Sequence, residues 1–449
     1  MMSKFRKEFM LRLLKILNAL VLTLPFIWCW YHYYAQHIVL PFYDRGNWVM
    51  VALYAVLYIT FGRVYGGFWI SLNRISESVY SQALAVVMTS GIMYVITFLL
   101  ARQLPNPLPL MAAFVVQLVF SVLWSMAAHI AFYIIFPATK TIVVYGDRQG
   151  MEKLIHDYGF EKKFTVIKTL SVEQCVENLD LLHTAETVFL SGIHSHERNI
   201  ILKYCVEHGI MMYLVPRIGD VLMSGAQQMH MFHLPMLRVG RYNPSPWHTM
   251  AKRTFDILSA GALFLVISPL MLITALAIKT DGGPVFYKQR RLTQDGKVFD
   301  VLKFRSMRVD AEKDGVARLS TGDKDDRITP VGRFIRKVRI DELPQLLNII
   351  GGSMSVVGPR PERPEIASQY EKEMPEFRLR LQAKAGLTGY AQVYGKYNTT
   401  PYDKLQMDLM YISNPSFWED LRIIFATIKI LFVPESTEGV AEGQKTAMK

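Results

Sequence analysis

Cysteine is almost absent from this chain: Cys29, Cys175 and Cys205 are the only three in 449 residues. They lie far apart without metal-ligand spacing, which argues against a disulfide framework or zinc site and for unpaired thiols in a reducing compartment. His194 and His196, and His230 and His233, form close pairs. Neither pair has carboxylates or thiolates at ligand spacing, so they read as loop histidines. No small-residue cleavage site follows the first apolar run, so an uncleaved anchor is expected there. Acidic residues are outnumbered, 38 against 50 Lys and Arg, and the net charge of +12 suits an anionic partner: nucleic acid, anionic lipid or a phosphorylated substrate.

What the chain has in excess is apolar sequence, 51% of its residues, more than a soluble protein of this size needs. Four runs, at about 13–35, 47–66, 82–101 and 111–136, each reach the ~20 residues that a helix needs to cross the hydrocarbon layer. Trp28, Trp30, Tyr31, Tyr33 and Tyr34 crowd the end of the first run, where amphipathic rings favour the interface. Lys4, Arg6, Lys7, Arg12 and Lys15 precede it, and Arg63 and Arg74 fall between the second and third runs. The other two loops hold only Arg45 and Arg102. This imbalance places the N-terminus and the chain beyond residue 138 in the cytoplasm. Pro105, Pro107 and Pro109 make the third loop a tight turn.

From residue 139 the pattern alternates: strands over 141–145, 164–168, 186–190 and 211–215, helices over 151–158 and near 196–208. That is the signature of a small Rossmann-like unit over 139–218. Gly146 and Gly150 fall short of G-x-G-x-x-G, so a structural or regulatory module fits better than a nucleotide site. Residues 219–250, rich in Met, His, Gly and Pro, read as a linker.

A fifth uncharged run lies between Ile257 and Ile278. It is long enough to span, but Lys252 and Arg253 precede it and Lys279 follows, so both flanks carry the charge retained in the cytoplasm. Ser268-Pro269 sits near its middle. Proline lacks an N–H and bends or breaks a helix, and Ser268 can bond a freed carbonyl. A straight spanning helix and a helix–break–helix hairpin both fit this pattern.

The region 280–400 is polar and basic. Lys288, Arg290, Arg291, Lys303, Arg305, Arg308, Arg333, Arg336, Lys337 and Arg339 precede the acidic pair Asp341-Glu342. Ile340, Leu343, Leu346 and Leu347 recur at helical spacing and would hold the pair against a core or membrane. A carboxylate of ordinary pKa is ionised at pH 7 and can attack phosphorus without a general base. Its approach to a diphosphate costs about 4 kcal/mol per like-charge pair at ~4 Å and an effective dielectric of ~20. Mg²⁺ with Arg and Lys is the usual compensation. Downstream, Gly358-Pro359-Arg360-Pro361 is a stiff turn that preorganises one guanidinium for phosphate. Gly386-Leu387-Thr388-Gly389 begins a glycine-bounded loop expected to lead into a short strand.

These stretches, with Lys252-Arg253-Thr254-Phe255-Asp256, Ser268-Pro269 and Lys303-Phe304-Arg305-Ser306-Met307, resemble the bacterial sugar transferases, polyprenyl-phosphate phosphoglycosyl transferases of monotopic type. The similarity runs from about Lys252 to Val433. It implies a membrane protein with a four-helix transmembrane bundle over 1–138, a Rossmann-like α/β domain over 139–218, and an α/β catalytic domain over 251–433. A re-entrant membrane helix is expected at about 254–279 and a flexible tail over 434–449. The implied reaction moves hexose-1-phosphate from a UDP-hexose to undecaprenyl phosphate through a phosphosugar–Asp intermediate and releases UMP. It is the first membrane step of capsule, exopolysaccharide or O-antigen synthesis.

In that scheme Asp341 is the nucleophile and holds Mg²⁺, and Glu342 assists the metal or the lipid phosphate. Lys303, Arg305, Arg336, Arg360 and Pro361 are expected at the substrates, and Ser268-Pro269 at the re-entrant break. Lys396 stands where many relatives have Arg. The expected setting is the cytoplasmic face of a bacterial inner membrane, with no nucleic-acid partner; a homodimer is expected by analogy alone. The rival readings are a membrane-anchored nucleotide-sugar dehydratase or epimerase, a multispan glycosyltransferase and a basic scaffold. The first is disfavoured because the large domain lacks both G-x-G-x-x-G and Tyr-x-x-x-Lys.

Overall fold

The structure is a computed structural model that describes residues 2–71, 73–280, 282–309, 311, 327–395 and 399–431, without the side chains of 2–7, 44 and 431. The expectations for Lys396 and for the tail 434–449 lie outside the described residues. The chain divides into two compact units, Met1–Val215 and Pro216–Lys449.

The first unit begins with four long helices, α1 (Met2–Cys29), α2 (Asp44–Val64), α3 (Ile75–Ala101) and α4 (Leu108–Ile135). Each covers most of one of the apolar runs, and all four are long and apolar enough to cross a membrane. α3 and α4 start before the apolar runs do, because Arg74 and Glu77 form a capping box and Pro109 sits in the first turn of α4. The polarity of this bundle is inverted. Leu24, Val56, Leu99 and Leu123 point outward, while Asn18, Gln82, Gln117 and Ser121 are buried. Inside, Tyr58 Oη donates to Asn18 Oδ1 at 2.7 Å, Ser121 Oγ to Gln82 Oε1 at 2.7 Å and Gln117 Nε2 to Tyr54 Oη at 2.7 Å. In lipid, where burial of apolar surface gives helices no reason to associate, such bonds and close packing hold them together. The aromatic cluster after α1 splits in role. Trp28 and Tyr33 are exposed as a belt requires, but Trp30 and Tyr34 are buried and tied to Asn47 Oδ1 and to the Asn106 carbonyl.

The rest of this unit is a parallel sheet, order β2-β1-β3-β4, of β1 (Thr139–Tyr145), β2 (Phe164–Ser171), β3 (Thr187–Ser191) and β4 (Met211–Leu214). α5 (Met151–Asp157), α6 (Val172–Glu177) and α7 (Ser195–Glu207) connect the strands. Ile142, Val143 and Val144 are fully buried, as an inner strand of a covered parallel sheet requires. The loops after β1 and β3 bond each other: Gly146 N–H donates to the Ser191 carbonyl and Asp147 N–H to the Gly192 carbonyl. A Cβ on Gly146 would lie 2.6 Å from the Gly192 oxygen. Gly146 is therefore required by loop-on-loop packing.

The second unit corrects the linker reading of 219–250. The segment carries α8 (Ile218–Ser224), whose Ile218 and Val221 are buried, and a hairpin of β5 (Gln227–Met231) and β6 (Leu234–Arg238). Met229, Met231 and Met236 on these two strands look like composition bias in sequence. Then come α9 (Pro246–Lys279), antiparallel β7 (Phe286–Leu292) and β8 (Val298–Phe304), α10 (Pro330–Lys337) and α11 (Gln345–Gly351). β9 (Ser355–Val357), α12 (Pro364–Glu373), β10 (Gly386–Thr388), α13 (Tyr390–Tyr394), α14 (Pro401–Ser413) and α15 (Phe417–Leu431) complete it. The glycine-bounded stretch is thus itself a strand that leads into a helix, where a loop leading into a strand was expected.

α9 contains the fifth apolar run. Its secondary structure is continuous through Pro269, so no gap separates two helices. Pro269 cannot donate to the Leu265 carbonyl four residues back, and Ser268 Oγ takes that acceptor at 2.8 Å. Both halves of the helix pack on the same unit. Ala260, Phe264 and Ile267 meet Val301, Leu346 and Ile349; Met271, Ala275 and Ile278 meet Phe304, Ile335 and Leu343. The opposite face, including Leu258, Leu265, Val266, Leu272 and Leu276, is exposed and apolar.

Candidate active site

The segment before α9's apolar run is an anchoring device. Lys252 Nζ pairs with Asp420 at 2.7 Å, and Arg253 donates to the Ile349 and Ile350 carbonyls at 2.6 and 2.7 Å, capping α11. Buried Asp256 accepts from Ser355 Oγ at 2.8 Å and Val356 N–H at 3.1 Å, fixing β9. β9 and β10 run parallel, and three glycines let their backbones meet. A Cβ on Gly386 would lie 2.1 Å from Gly358 N, and one on Gly389 2.1 Å from Gly358 O. The two glycine motifs are thus one structural element seen from two strands, and it ends in the Pro359-Arg360-Pro361 turn.

Four segments converge beside that turn. β8 brings Lys303, the end of α10 brings Arg336, and the turn brings Arg360. Asp341 and Glu342 lie in a short 3₁₀ turn over Ile340–Glu342. Arg339, in the left-handed region at φ 56°, reverses the chain between α10 and the acidic pair. This conformation is costly for a non-glycine residue and persists only where surrounding packing imposes it. Ile340 and Leu343 supply that packing against Ile335 and Phe304. Leu346 is buried as the spacing predicts; Leu347 is exposed.

The two carboxylates have different surroundings. Glu342 Oε1 accepts from Lys303 Nζ at 3.0 Å and Arg360 Nη2 at 3.3 Å. Burial pushes its carboxyl up, but the charges of Lys303, Arg360 and Arg339 outweigh this and hold it well below the usual carboxylate range. In return, the Glu342 carboxylate raises Arg360 above its ordinary value. Asp341 has no ion-pair partner among the described residues. Burial and then the charge of Glu342 push its pKa up to about 6, against the opposing charges of Lys303 and Arg336. At neutral pH it is mostly ionised, and it is more basic than an ordinary aspartate. The Arg336 guanidinium has no hydrogen-bond partner among the described residues. Two charge-bearing groups, Asp341 and Arg336, are therefore uncommitted beside a neutralised Glu342.

Two expected site residues have polar atoms already engaged within the protein. Arg305 is 7% exposed, and its guanidinium donates to the carbonyls of Pro284, Met307 and Ile278 at 2.7, 3.3 and 3.4 Å. It is a clamp on the last turn of α9, whose terminal carbonyls lack helical partners. Pro361 offers only its carbonyl, which Arg291 Nη1 occupies at 3.0 Å. A set of residues absent from the expected site stands behind the turn: Arg291, Glu362, Arg380 and Asp408. Asp408 carried a usable signal, a carboxylate between apolar neighbours in the α14 sequence Met407-Asp408-Leu409-Met410-Tyr411-Ile412. Among the described residues no three His, Cys, Asp or Glu side chains group as a metal site. A magnesium ion fits otherwise, since it commonly takes one or two protein carboxylates and draws its remaining oxygens from phosphate and water.

The bacterial sugar transferase family matches residues 247–434. Among curated proteins, the chain is 38% identical over 234 residues to UDP-N-acetylgalactosamine-undecaprenyl-phosphate N-acetylgalactosaminephosphotransferase of Aeromonas hydrophila, covering 51% of this chain and 54% of that protein. It is 39% identical over 206 residues to UDP-glucose:undecaprenyl-phosphate glucose-1-phosphate transferase of Caulobacter vibrioides, covering 44% and 76%. It is 38% identical over 212 residues to the protein of that same name in Escherichia coli strain K12, covering 46% and 44%. The chain thus spans about half the length of two of these relatives and three quarters of the third. With the matched region holding Asp341, Glu342, Lys303, Arg336 and Arg360 in one place, this chain belongs to the bacterial sugar transferase family.

Proposed function

We propose that the protein transfers hexose-1-phosphate from a UDP-hexose to undecaprenyl phosphate. The observation that carries this reading is the asymmetry of the acidic pair: Glu342 is saturated by Lys303 and Arg360, while Asp341 is ionised, uncommitted and faced by cations. Glu342, bonded to two cations and held well below the usual carboxylate range, is a poor proton carrier at neutral pH. Here the arrangement suits one nucleophile and one organising anion.

A carboxylate oxygen of Asp341 attacks the sugar-bearing phosphorus. The new P–O bond forms as the phosphoanhydride bond to the nucleotide phosphate breaks, and UMP departs with the bonding pair. Arg336 and Arg360 are placed to bind the phosphate oxygens and stabilise the charge that develops there. An oxygen of undecaprenyl phosphate then attacks the same phosphorus, the acyl-phosphate bond breaks, and the Asp341 carboxylate is regenerated. Glu342 keeps Lys303 and Arg360 in position throughout. When bound, Mg²⁺ held by Asp341 would supply Lewis-acid neutralisation of the diphosphate.

The second substrate is a lipid, and α9 accounts for access to it. A crossing helix would carry β8, α10 and α11 into hydrocarbon along its length, because both of its halves pack on them. Instead its exposed apolar face enters the bilayer from the side where the catalytic unit lies, a re-entrant element clamped near its ends by Arg253 and Arg305. With four crossings before it, this side is the cytoplasmic face of the inner membrane, where UDP-sugars are found. The test is the nucleotide released from a panel of UDP-hexoses with undecaprenyl phosphate. UMP supports the reading; UDP would indicate a glycosyltransferase, and neither product would indicate a different class.

A further inference from the structure

The Pro359-Arg360-Pro361-Glu362 stretch has no ladder of its own, since prolines at 359 and 361 remove two donors. Yet each of its four carbonyls has a donor. Gly386 N–H takes Pro359 O at 2.9 Å, and Leu292 N–H takes Glu362 O at 2.9 Å. Between them, Arg380 Nη2 donates to Arg360 O at 2.9 Å and Arg291 Nη1 to Pro361 O at 3.0 Å. Two guanidiniums therefore do what a neighbouring strand would do, at the two central positions. Arg380 is 5% exposed; it pairs with Asp408, itself 1% exposed, at 2.7 Å, and its guanidinium lies over the Phe377 ring at 4.9 Å. Glu362 lies between both arginines, 3.6 Å from Arg380 and 3.8 Å from Arg291.

We propose that Arg380, held by Asp408, is a positioning residue that fixes the backbone at Arg360 and thereby aims the Arg360 guanidinium at the nucleotide phosphate and Glu342. A buried ion pair recovers little net stability, because desolvation offsets its attraction. What the pair provides is a donor that cannot move, aimed at the one carbonyl whose residue carries the phosphate-binding side chain. Among the described residues the Arg360 guanidinium bonds Glu342 alone, and it is otherwise half-exposed, so its aim depends on its main chain. The inference rests on the proposed transferase reading for its kinetic consequence, but its structural consequence stands alone.

The test uses the full-length protein in detergent or nanodiscs and three variants: Arg380→Gln, Arg380→Lys and the nearly isosteric Asp408→Asn. UMP release is measured against donor concentration at saturating undecaprenyl phosphate, and hydrogen exchange is followed for residues 355–363. Arg380→Gln is expected to raise the donor KM about tenfold with kcat within about threefold. Exchange should rise over 355–363 and stay unchanged over 286–304. Arg380→Lys should recover most of the KM, and Asp408→Asn should reproduce a weaker form of the Gln variant. An unchanged donor KM, or a loss of protection spread evenly over the second unit, overturns the proposal. If the wild type releases no UMP, the transferase reading fails, and the exchange pattern alone decides whether Arg380 holds the turn.

Discussion

Lys303 Nζ lies 3.0 Å from Glu342 Oε1, and neither group is more than a fifth exposed. This bond makes two adjacent carboxylates unequal. It neutralises Glu342 and leaves the repulsion between the pair to be expressed at Asp341, whose pKa rises to about 6. The strained Arg339 and the cationic ring around the pair serve that one inequality.

Replacing Asp341 with Asn should abolish turnover and stabilise the fold. The folded pKa lies above the unfolded value of 3.8, so the folded state binds the proton more tightly. That contribution is complete below the unfolded value and is lost as pH rises through about 6; at pH 7–8 the ionised side chain opposes folding. Asparagine removes the charge and the nucleophilic oxygen together. Thermal unfolding at pH 7.5 should show a gain on the order of 1–3 kcal/mol, with UMP release down at least ~10³-fold. Near-normal UMP release would remove Asp341 from its role.

The pH profile follows from the same shift. The attacking carboxylate must be ionised, so kcat/KM should fall tenfold per pH unit below about 6. Glu342→Gln removes the like charge and frees Lys303 and Arg360 to act on Asp341. Both effects lower its pKa, so the acid limb should move to lower pH even though the maximal rate falls. An acid limb that stays in place would mean that Glu342 does not set the Asp341 titration.

Magnesium dependence separates two ways of screening the diphosphate. If the cations alone sufficed, EDTA would leave UMP release unchanged. With Asp341 and Arg336 free of ion-pair and hydrogen-bond partners among the described residues, chelation should stop release, and Mg²⁺ should restore it more fully than Ca²⁺, whose larger shell fits a site with few protein ligands less well. Full activity in EDTA would exclude the metal.

Much of this was legible because it lies in local pattern. The inner strand Thr141–Tyr145 announces itself by an apolar run, and Asp341-Glu342 is conspicuous as an acidic pair within a cationic stretch. Direction was not legible. Lys303 and Arg305 are two residues apart on one strand edge, yet one reaches Glu342 and the other turns back to the end of α9. Nor was long-range pairing. Arg380 and Asp408 are 28 positions apart, and Arg291 precedes the turn it supports by 70 residues, so each resembles an ordinary surface charge until the fold brings them together.

The bonding of Arg305 yields a test of its own. Arg305→Gln would remove the guanidinium bonds to Pro284, Met307 and Ile278 and leave their buried site underfilled, at about 1–3 kcal/mol in all. The protein should lose thermal stability, while the folded fraction keeps its donor KM. A variant of wild-type stability with a donor KM raised tenfold would return Arg305 to the substrates.

The position of α9 yields the last prediction. From Arg253, which caps α11, to Ile278, whose carbonyl Arg305 holds, the helix covers 25 residues, about 37 Å at ~1.5 Å per residue. That exceeds the ~30 Å hydrocarbon layer, so a crossing would put one clamp on each side of the membrane. One folded unit contacts both clamps and cannot straddle the bilayer, because its polar strands would have to pass through lipid. The native thiols are all buried, so single exposed cysteines can report topology. Gln103→Cys, in the loop between α3 and α4, should react with an impermeant maleimide on intact spheroplasts. Lys372→Cys, on the exposed side of α12, should react only after permeabilisation. Labelling of Lys372→Cys from outside would mean that α9 crosses, and the enzyme would then face away from its nucleotide substrate.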